Sequence, residues 1–323
     1  MEERYPKKMK DIEILFDRMY SVIPDKLQKP IGAFALDKFI KIKRKLLGAK
    51  EKFTGGIHYL EIDRGHPETL LLIHGFSDSK DGFLEPAVYL AKKFNLIIPD
   101  LPGFGSNEKD ETRTYSTYEI GKSILEFMEG LEILNPHIVG ISLGAAIAME
   151  VVLLKLEYPK SLSLISPAGF FDADKTCIYH EILEGNNIFC IEGPEDYEGF
   201  LNRVMENRPY IPAPIKLHLG EMMIQEREWL EKMSTDLLGG LTDLSEKEKI
   251  AELSYNHRVE NIICPVLLVW GEKDSLFPPH LSEIPKSKIK NSKLVILPNL
   301  GHALHHEGPE VFSREVLKFI EAL

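Results

Sequence analysis

Ser142, Asp274 and His302 have the residue types and the order along the chain to carry out acyl transfer. A serine hydroxyl is a weak nucleophile, so it needs a base to take its proton and an acid to hold that base in the reactive tautomer. Ser142 sits in Gly140-Ile141-Ser142-Leu143-Gly144, a G-x-S-x-G match within "IVGISLGAAIAMEVV" (138–152). A β-branched apolar run passes there into a small-residue, helix-like one. Such a turn lifts the serine above the edge of a sheet, and the new helix aims its first N–H groups at nearby negative charge. It also strains its central residue and tolerates little bulk beside it, which Gly140, Gly144, Ala145 and Ala146 satisfy. Taken alone, the motif could equally be a glycine-bounded turn with an ordinary serine at its apex.

Three further elements arrive in order. His302, in "NLGHALHHEGP", follows the last apolar run, while His305 and His306 in the next turn read as surface or packing residues. Asp274, in "VWGEKDSLFP", follows the preceding run and completes the order Ser, Asp, His. Asp172 and Asp174 in "SPAGFFDADK" are the alternative carboxylates, and Glu272 reads as a solvated strand-end charge. A tetrahedral oxyanion needs two backbone donors. Leu143 N–H, one residue past the serine, is one; Phe76 N–H, in the "IHGF" turn, is the expected second. His74 and Gly75 read as shaping that turn, with a reactive His74 as the sharper alternative.

These residues fall at the ends of elements that can position them. "TLLLIHGF" (69–76), "NLIIPDLPGFG" (95–105), "PHIVGIS" (136–142), "SLSLISPAG" (161–169), "PVLLVWGEKD" (265–274) and "KLVILPNLGH" (293–302) are apolar without polar alternation. They read as central strands covered on both faces, and "IHYLEID" (57–63) as an earlier, partly exposed one. Between them lie helical patterns. "STYEIGKSILEFMEGL" opens on a capping box, Ser116 and Glu119, and puts Ile120, Ile124, Phe127, Met128 and Leu131 on one face. "VFSREVLKFIEAL" does the same with Phe312, Val316, Phe319, Ile320 and Leu323. The stretch from Gly169 to Pro265 is too long for one strand-to-strand crossover and predicts an inserted helical piece. Its Met205, Tyr210, Ile211, Ile215, Leu217, Met222, Met223 and Trp229 suggest an acyl pocket or plain helix packing.

On "HGF", "DLPGFGSN", "GISLGAA", "WGEKD" and "GHALHHEGP", in that order, the chain resembles the α/β-hydrolase superfamily over about residues 56–323. Within it, "IHGFSDSKDGF", "LSLISPAGF" and the long insertion look most like the monoacylglycerol-lipase-like esterases and related bacterial lipases. The resemblance implies an α/β fold with a mostly parallel central sheet, helices on both faces and an inserted helical cap. The expected boundaries are an N-terminal helical extension at 1–55, a core at 56–169 and 265–323, and a cap at 170–264. It implies Ser142 as nucleophile, His302 as base, Asp274 as orienting acid, and Phe76 and Leu143 as oxyanion donors. "HGF" lacks the proline of H-G-x-P and the elbow carries serine rather than aspartate, which speaks against epoxide hydrolases and haloalkane dehalogenases. Ile141 departs from the His or Thr often found before the nucleophile. The expected reaction is hydrolysis of small-molecule carboxylic esters of apolar acyl chains, such as monoacylglycerols. The alternatives are carbon–carbon hydrolysis or perhydrolysis on the same triad, a thioesterase or an aminopeptidase; a non-enzymatic receptor should have lost a triad member.

The 323 residues carry a net charge of −11, which argues against nucleic acid as a partner. Cys177, Cys190 and Cys264 form no framework and suggest a reducing compartment. No Walker motif, dinucleotide fingerprint or metal-ligand spacing is present, so neither cofactor nor metal is expected. The start of the chain lacks the features of a signal peptide and no run is long and apolar enough for a bilayer, so a cytoplasmic protein is expected. Residues 1–52, however, hold fourteen Lys and Arg against eight Asp and Glu. Within them, residues 31–50 mix Phe34, Leu36, Phe39, Ile40, Leu46 and Leu47 with Lys38, Lys41, Lys43, Arg44 and Lys45, a pattern suited either to an anionic membrane surface or to a helix packed on the core.

Overall fold

The apolar runs become strands because only a sheet covered on both faces can bury side chains pointing alternately up and down. A computed structural model describes residues 23–155, 157–171 and 177–323. Its sheet holds eight strands: β1 (Lys50–Thr54), β2 (Ile57–Ile62), β3 (Thr69–Ile73), β4 (Asn95–Pro99), β5 (His137–Ile141), β6 (Ser161–Ile165), β7 (Val266–Gly271) and β8 (Ser292–Leu297). They lie in the order β1-β2-β4-β3-β5-β6-β7-β8. β2 pairs antiparallel with β1 and β4, and the remaining pairs are parallel. Ile73 lies opposite Gly140 and Ile141 opposite Ile165, so the ends of β3, β5 and β6 stand side by side.

Two expectations about the sheet need correction. The run at 293–302 is not a central strand: β8 is an edge, paired only with β7, and Lys293 and Ile296 are exposed. A short apolar run does not reveal how many neighbours it will have. The helical extension also ends before residue 55. Gly48, at φ 62°, stops the first helix, and β1 folds back on β2 through Gly55 and Gly56, at φ 60° and 82°. A Gly-Gly pair accepts the left-handed backbone that a two-residue hairpin requires, so a polar strand, "KEKFT", joins the sheet as its other edge.

The helices are α1 (Asp25–Leu47), α2 (Leu84–Leu90), α3 (Thr117–Gly130), α4 (Leu143–Leu154), then α5 (Ile178–Leu183), α6 (Pro194–Val204), α7 (Ala213–Gln225), α8 (Arg227–Leu237) and α9 (Lys247–Leu253) between β6 and β7, and finally α10 (Glu283–Lys288), α11 (Leu304–Glu307) and α12 (Pro309–Ile320). Ser116 Oγ accepts the Glu119 N–H at 3.2 Å to open α3, whose Ile120, Ile124, Phe127 and Met128 are buried. α3, α4 and the inserted helices cover one face of the sheet, and α2 and α12 the other. Phe312, Val316, Phe319 and Ile320 seal that second face, whereas Leu323 lies exposed beyond the helix end. α1 packs on α7 so closely that a Cβ on Gly32 would stand 1.9 Å from the Pro214 carbonyl oxygen.

A buried charged cluster ties the loops after β3 and β4 together. Lys80 Nζ lies 2.6 Å from Asp100 Oδ2 and 2.8 Å from Ser106 Oγ, and Asp100 also accepts the backbone N–H of Lys80 at 2.7 Å and of Ser106 at 2.8 Å. Gly105, at φ +59°, leaves the carboxylate its space, since a Cβ there would come within 2.2 Å. This is the structural content of "DLPGFGSN". Removing Asp100 leaves the buried Lys80 ammonium, among the described residues, with only Ser106 and the partly exposed Glu51, 3.2 Å away. Asp100→Ala should lower the unfolding free energy by about 3–5 kcal/mol, measured by urea denaturation; a loss below about 1 kcal/mol would mean that water reaches Lys80.

Candidate active site

The turn at Ser142 is built by close approach of backbone to backbone. Ser142 has φ 53° and ψ −116°, a conformation unfavourable for an L-residue, with a cost of order 1–3 kcal/mol. The surroundings hold it there. Ser142 N–H donates to Ile165 O at 2.9 Å, and its carbonyl accepts from Ala145 and Ala168 at 3.0 and 3.1 Å. A Cβ on Gly140 would stand 2.2 Å from Gly144 O, and one on Gly144 would stand 2.2 Å from Ile73 O and 2.4 Å from His74 O. Both glycines are therefore required sterically. Leu143 opens α4, where first-turn N–H groups have no carbonyl within the helix to donate to.

The loop after β3 runs along this turn: an added Cβ on Gly75 would sit 3.5 Å from both Ser142 Cβ and Ile141 O. Phe76 follows, its ring edge-on to Phe104 and Phe189 at 5.4 and 4.8 Å. His74 is fully buried. Its Nδ1 lies 2.8 Å from Gly75 O and its Nε2 accepts the Leu101 N–H at 2.9 Å. With both ring nitrogens committed to backbone, His74 shapes the loop and has none left for a reacting group.

His302 and Asp274 meet across two loops. Nδ1 and Oδ2 are 2.9 Å apart, with the Asp274 side chain inaccessible to solvent and that of His302 at 8% exposure. The other oxygen, Asp274 Oδ1, accepts the N–H groups of Leu276 and Phe277 at 3.0 and 2.9 Å, which fixes the carboxylate plane. Asp172 and Asp174 lie outside the described residues. Glu272 is exposed and accepts the Asn299 N–H at 3.0 Å.

The inserted helices take part in holding the imidazole. Val204 O, at the end of α6, accepts both the His302 and the Ala303 N–H, at 3.0 and 2.9 Å, and Ser275 Oγ donates to Arg203 O at 2.7 Å. Glu307 is a residue that sequence reasoning passed over. Its carboxylate accepts the N–H groups of Gly301 at 3.0 Å and of Glu206 and Asn207 at 2.9 Å, clamping the His302 loop to the end of α6. The pattern offers no signal for this, because Glu206 and Glu307 are distant in the chain. Asp78 was also missed. It lies 3.1 Å from His305, which is buried rather than at the surface.

Above Ser142 opens a narrow cavity of about 90 Å³. Phe76, Ser142, Leu143 and Ala146 face it from the core, and Tyr179, Ile182, Phe189, Leu237, Leu238 and Leu253 from the inserted helices. The wall is almost wholly apolar. None of the cap residues singled out as an acyl pocket lines it. α7 packs against α1, Met205 and, from α7 itself, Met223 are buried in the core, and Trp229 donates to Gly103 O at 2.7 Å. Hydrophobic composition marked the right segment but not its inward face.

Comparison with known proteins places this geometry in context. A profile described as "Alpha/beta hydrolase family" matches residues 70–315. The chain is 32% identical to Lipase 3 of Moraxella sp. (strain TA144) over 88% of this chain and 86% of that one. It is 26% identical to the mouse monoacylglycerol lipase ABHD6 over 80% of this chain and 77% of that one. Among solved structures, a membrane phospholipase A described as a bacterial virulence factor superposes with a TM-score of 0.81, at 26% identity and 98% coverage of both chains.

The elbow's dependence on missing side chains can be measured. Gly144→Ala should destabilise the protein by about 3 kcal/mol or more, at the upper end of overpacking effects, because rigid backbone rather than a flexible side chain blocks the new methyl. Guanidinium unfolding is the check; a loss under about 1 kcal/mol would contradict the close approach to Ile73.

Proposed function

The chain belongs to the alpha/beta hydrolase family, and from that premise we propose that it hydrolyses carboxylic esters of apolar acyl chains through Ser142, His302 and Asp274. The observation that carries this reading is the His302–Asp274 hydrogen bond of 2.9 Å, made by a loop whose Leu276 and Phe277 line the same apolar cavity as the strained Ser142. His302 Nε2 takes the Ser142 proton as Oγ attacks the ester carbonyl. The N–H groups of Leu143 and Phe76 receive the charge that develops on the carbonyl oxygen. When the tetrahedral species collapses, the C–O bond to the alcohol breaks and His302 returns the proton to it. A water activated by His302 then releases the acyl group by the same steps in reverse order. Asp274 accepts the Nδ1–H throughout and stabilises the imidazolium.

The similarity to a lipase supports an ester, and that to a monoacylglycerol lipase, with the narrow apolar wall, supports an ester with a single acyl chain. Esters of about four to twelve acyl carbons with a small alcohol should be favoured over triacylglycerols, since each buried methylene contributes up to about 0.8 kcal/mol until the pocket fills. kcat/KM should climb by up to about fourfold per methylene and then drop. A maximum at acetate would point to a small-ester hydrolase or a perhydrolase. Ser142→Ala should reduce hydrolysis on the order of 10⁴- to 10⁶-fold and lose labelling by a fluorophosphonate. Equal labelling of both proteins would remove Ser142 from the mechanism.

The reading extends to where the enzyme works. One face of α1 presents Leu27, Ile31, Phe34 and Ile42 together with Lys38, Lys41 and Lys45, all exposed, Phe34 and Ile42 at 65% and 57%. No helix among the described residues is long and apolar enough to cross a membrane. This face instead suits lying on an anionic lipid surface, with apolar side chains in the acyl boundary and lysines at the headgroups. Each lysine adds about 1 kcal/mol. Sedimentation with phosphatidylserine vesicles should show binding that weakens with salt and is lost in Lys38→Glu/Lys41→Glu/Lys45→Glu. Absence of binding by the wild type at low salt would end this reading.

A further inference from the structure

Outside the hydrolytic residues, a second set of side chains converges where the two reactive loops meet. Asp78 lies two residues past Phe76 on the loop after β3, and His305 and His306 lie on α11, just past His302. Asp78 Oδ2 is 3.1 Å from His305 Nε2 and 3.9 Å from His306 Nε2, and the three donor atoms all lie within 4.8 Å of one another. Adjacent helical residues normally diverge by about 100°. Here the two imidazoles turn to one carboxylate, with ring centroids 3.9 Å apart. The site also has built walls. Asp78 Oδ1 accepts the Ser79 N–H at 2.7 Å, which leaves Oδ2 for the histidines. A Cβ on Gly82 would fall 2.4 and 2.6 Å from the carboxylate oxygens, so only glycine leaves Asp78 its place.

We infer that Asp78, His305 and His306 bind a divalent transition-metal ion of the zinc class. Two imidazoles and one carboxylate are a borderline-soft donor set of the kind zinc takes, with a fourth position open to water. Tetrahedral zinc bonds of about 2.0–2.2 Å hold donors about 3.3–3.6 Å apart, so the 3.1 Å pair is near that spacing and the 3.9 Å pair reaches it by a small rotation of the partly exposed His306 ring. The carboxylate donor stands in the charged form that coordination needs. Burial works to raise the Asp78 carboxyl, but the His305 hydrogen bond and the charges of the surrounding histidines hold it well below the usual carboxylate range. Partial burial and the neighbouring His305 lower His306, which favours its neutral, ligating form. Coordination through His305 Nε2 uses the tautomer whose single ring proton sits on Nδ1, and because solvent protons compete with the ion for both imidazoles, affinity falls as the pH is lowered.

His305 Nδ1 is buried without a partner among the described residues. A metal on Nε2 places the remaining ring proton there with no acceptor, and a missing outer-shell acceptor weakens a metal site by about 10–100-fold. The site is therefore reversible and not a condition of folding. While bound, the ion clamps the loop bearing Phe76 to the turn that follows His302.

The test is calorimetric titration of the chelator-treated full chain with zinc sulfate, repeated with His306→Gln and Asp78→Asn, and visible absorption with cobalt(II). One ion per chain, bound more weakly at low pH, with cobalt bands of a nitrogen–oxygen site and at least tenfold loss of affinity in His306→Gln, is the expected result. Saturating zinc should raise the Tm of the wild type and leave that of His306→Gln unchanged. No saturable binding by the wild type overturns the inference, as does zinc binding by His306→Gln at wild-type affinity. Should Asp78→Asn fail to fold, His306→Gln decides, because its ring is partly exposed.

Discussion

The contact on which the site depends is between two stretches of backbone, Gly144 at the start of α4 and the carbonyls of Ile73 and His74 at the end of β3. Because β3 and β5 are paired neighbours, the turn after β5 must pass directly over the end of β3. No side chain fits between them. That approach sets Ser142 in its strained conformation, points the first turn of α4 at the space above the sheet, and brings the loop carrying Phe76 alongside. The strain is tolerable because Ser142 is hydrogen-bonded through both N–H and C=O to the β6 side, and because α4 is buried along its length.

From this fixed point the remaining groups are supplied by loops, and each loop is held by contacts besides the His302–Asp274 bond. The β3 loop is fixed by the buried Lys80–Asp100 pair and by His74, whose two nitrogens serve backbone atoms. The Asp274 loop is fixed by two N–H bonds to one carboxylate oxygen. The His302 loop is fixed by Val204 O and Glu307. Preorganisation of this kind lets a serine hydrolase avoid reorganising dipoles during reaction. It also makes the inserted helices more than a cover. α6 ends on the carbonyl that orients the His302 backbone, so displacement of the cap would be felt at the imidazole.

α1 connects these features to the outside. Its inner side packs on α7 through the contact of Gly32 with Pro214, and its outer side carries exposed apolar and basic residues. Arg44 anchors the far end of the helix by a forked contact to Asp81, at 2.6 and 2.7 Å, on the short turn begun by Lys80. The helix thus spans from the cap to the loop that bears Phe76.

The sequence by itself determined the parts of this protein whose physics is local. Unbroken apolar runs must be strands in a covered sheet, Ser116 must cap α3, and glycines around a serine between a strand and a helix must form a tight elbow. Order along the chain made Asp274 and His302 the expected acid and base, with Asp172 and Asp174 as alternatives, because strand ends in a parallel sheet all reach the same edge. Contacts between distant segments were decided only in the folded chain. Nothing in a one-dimensional pattern distinguishes β8 as an edge, shows that Glu307 reaches Glu206 and Asn207, or shows that Asp78 meets His305. The inward-facing residues of the cap were likewise hidden, since a helix apolar on several sides can turn any of them toward the cavity. Which side it turned was set by α1, whose close packing on α7 is a tertiary contact.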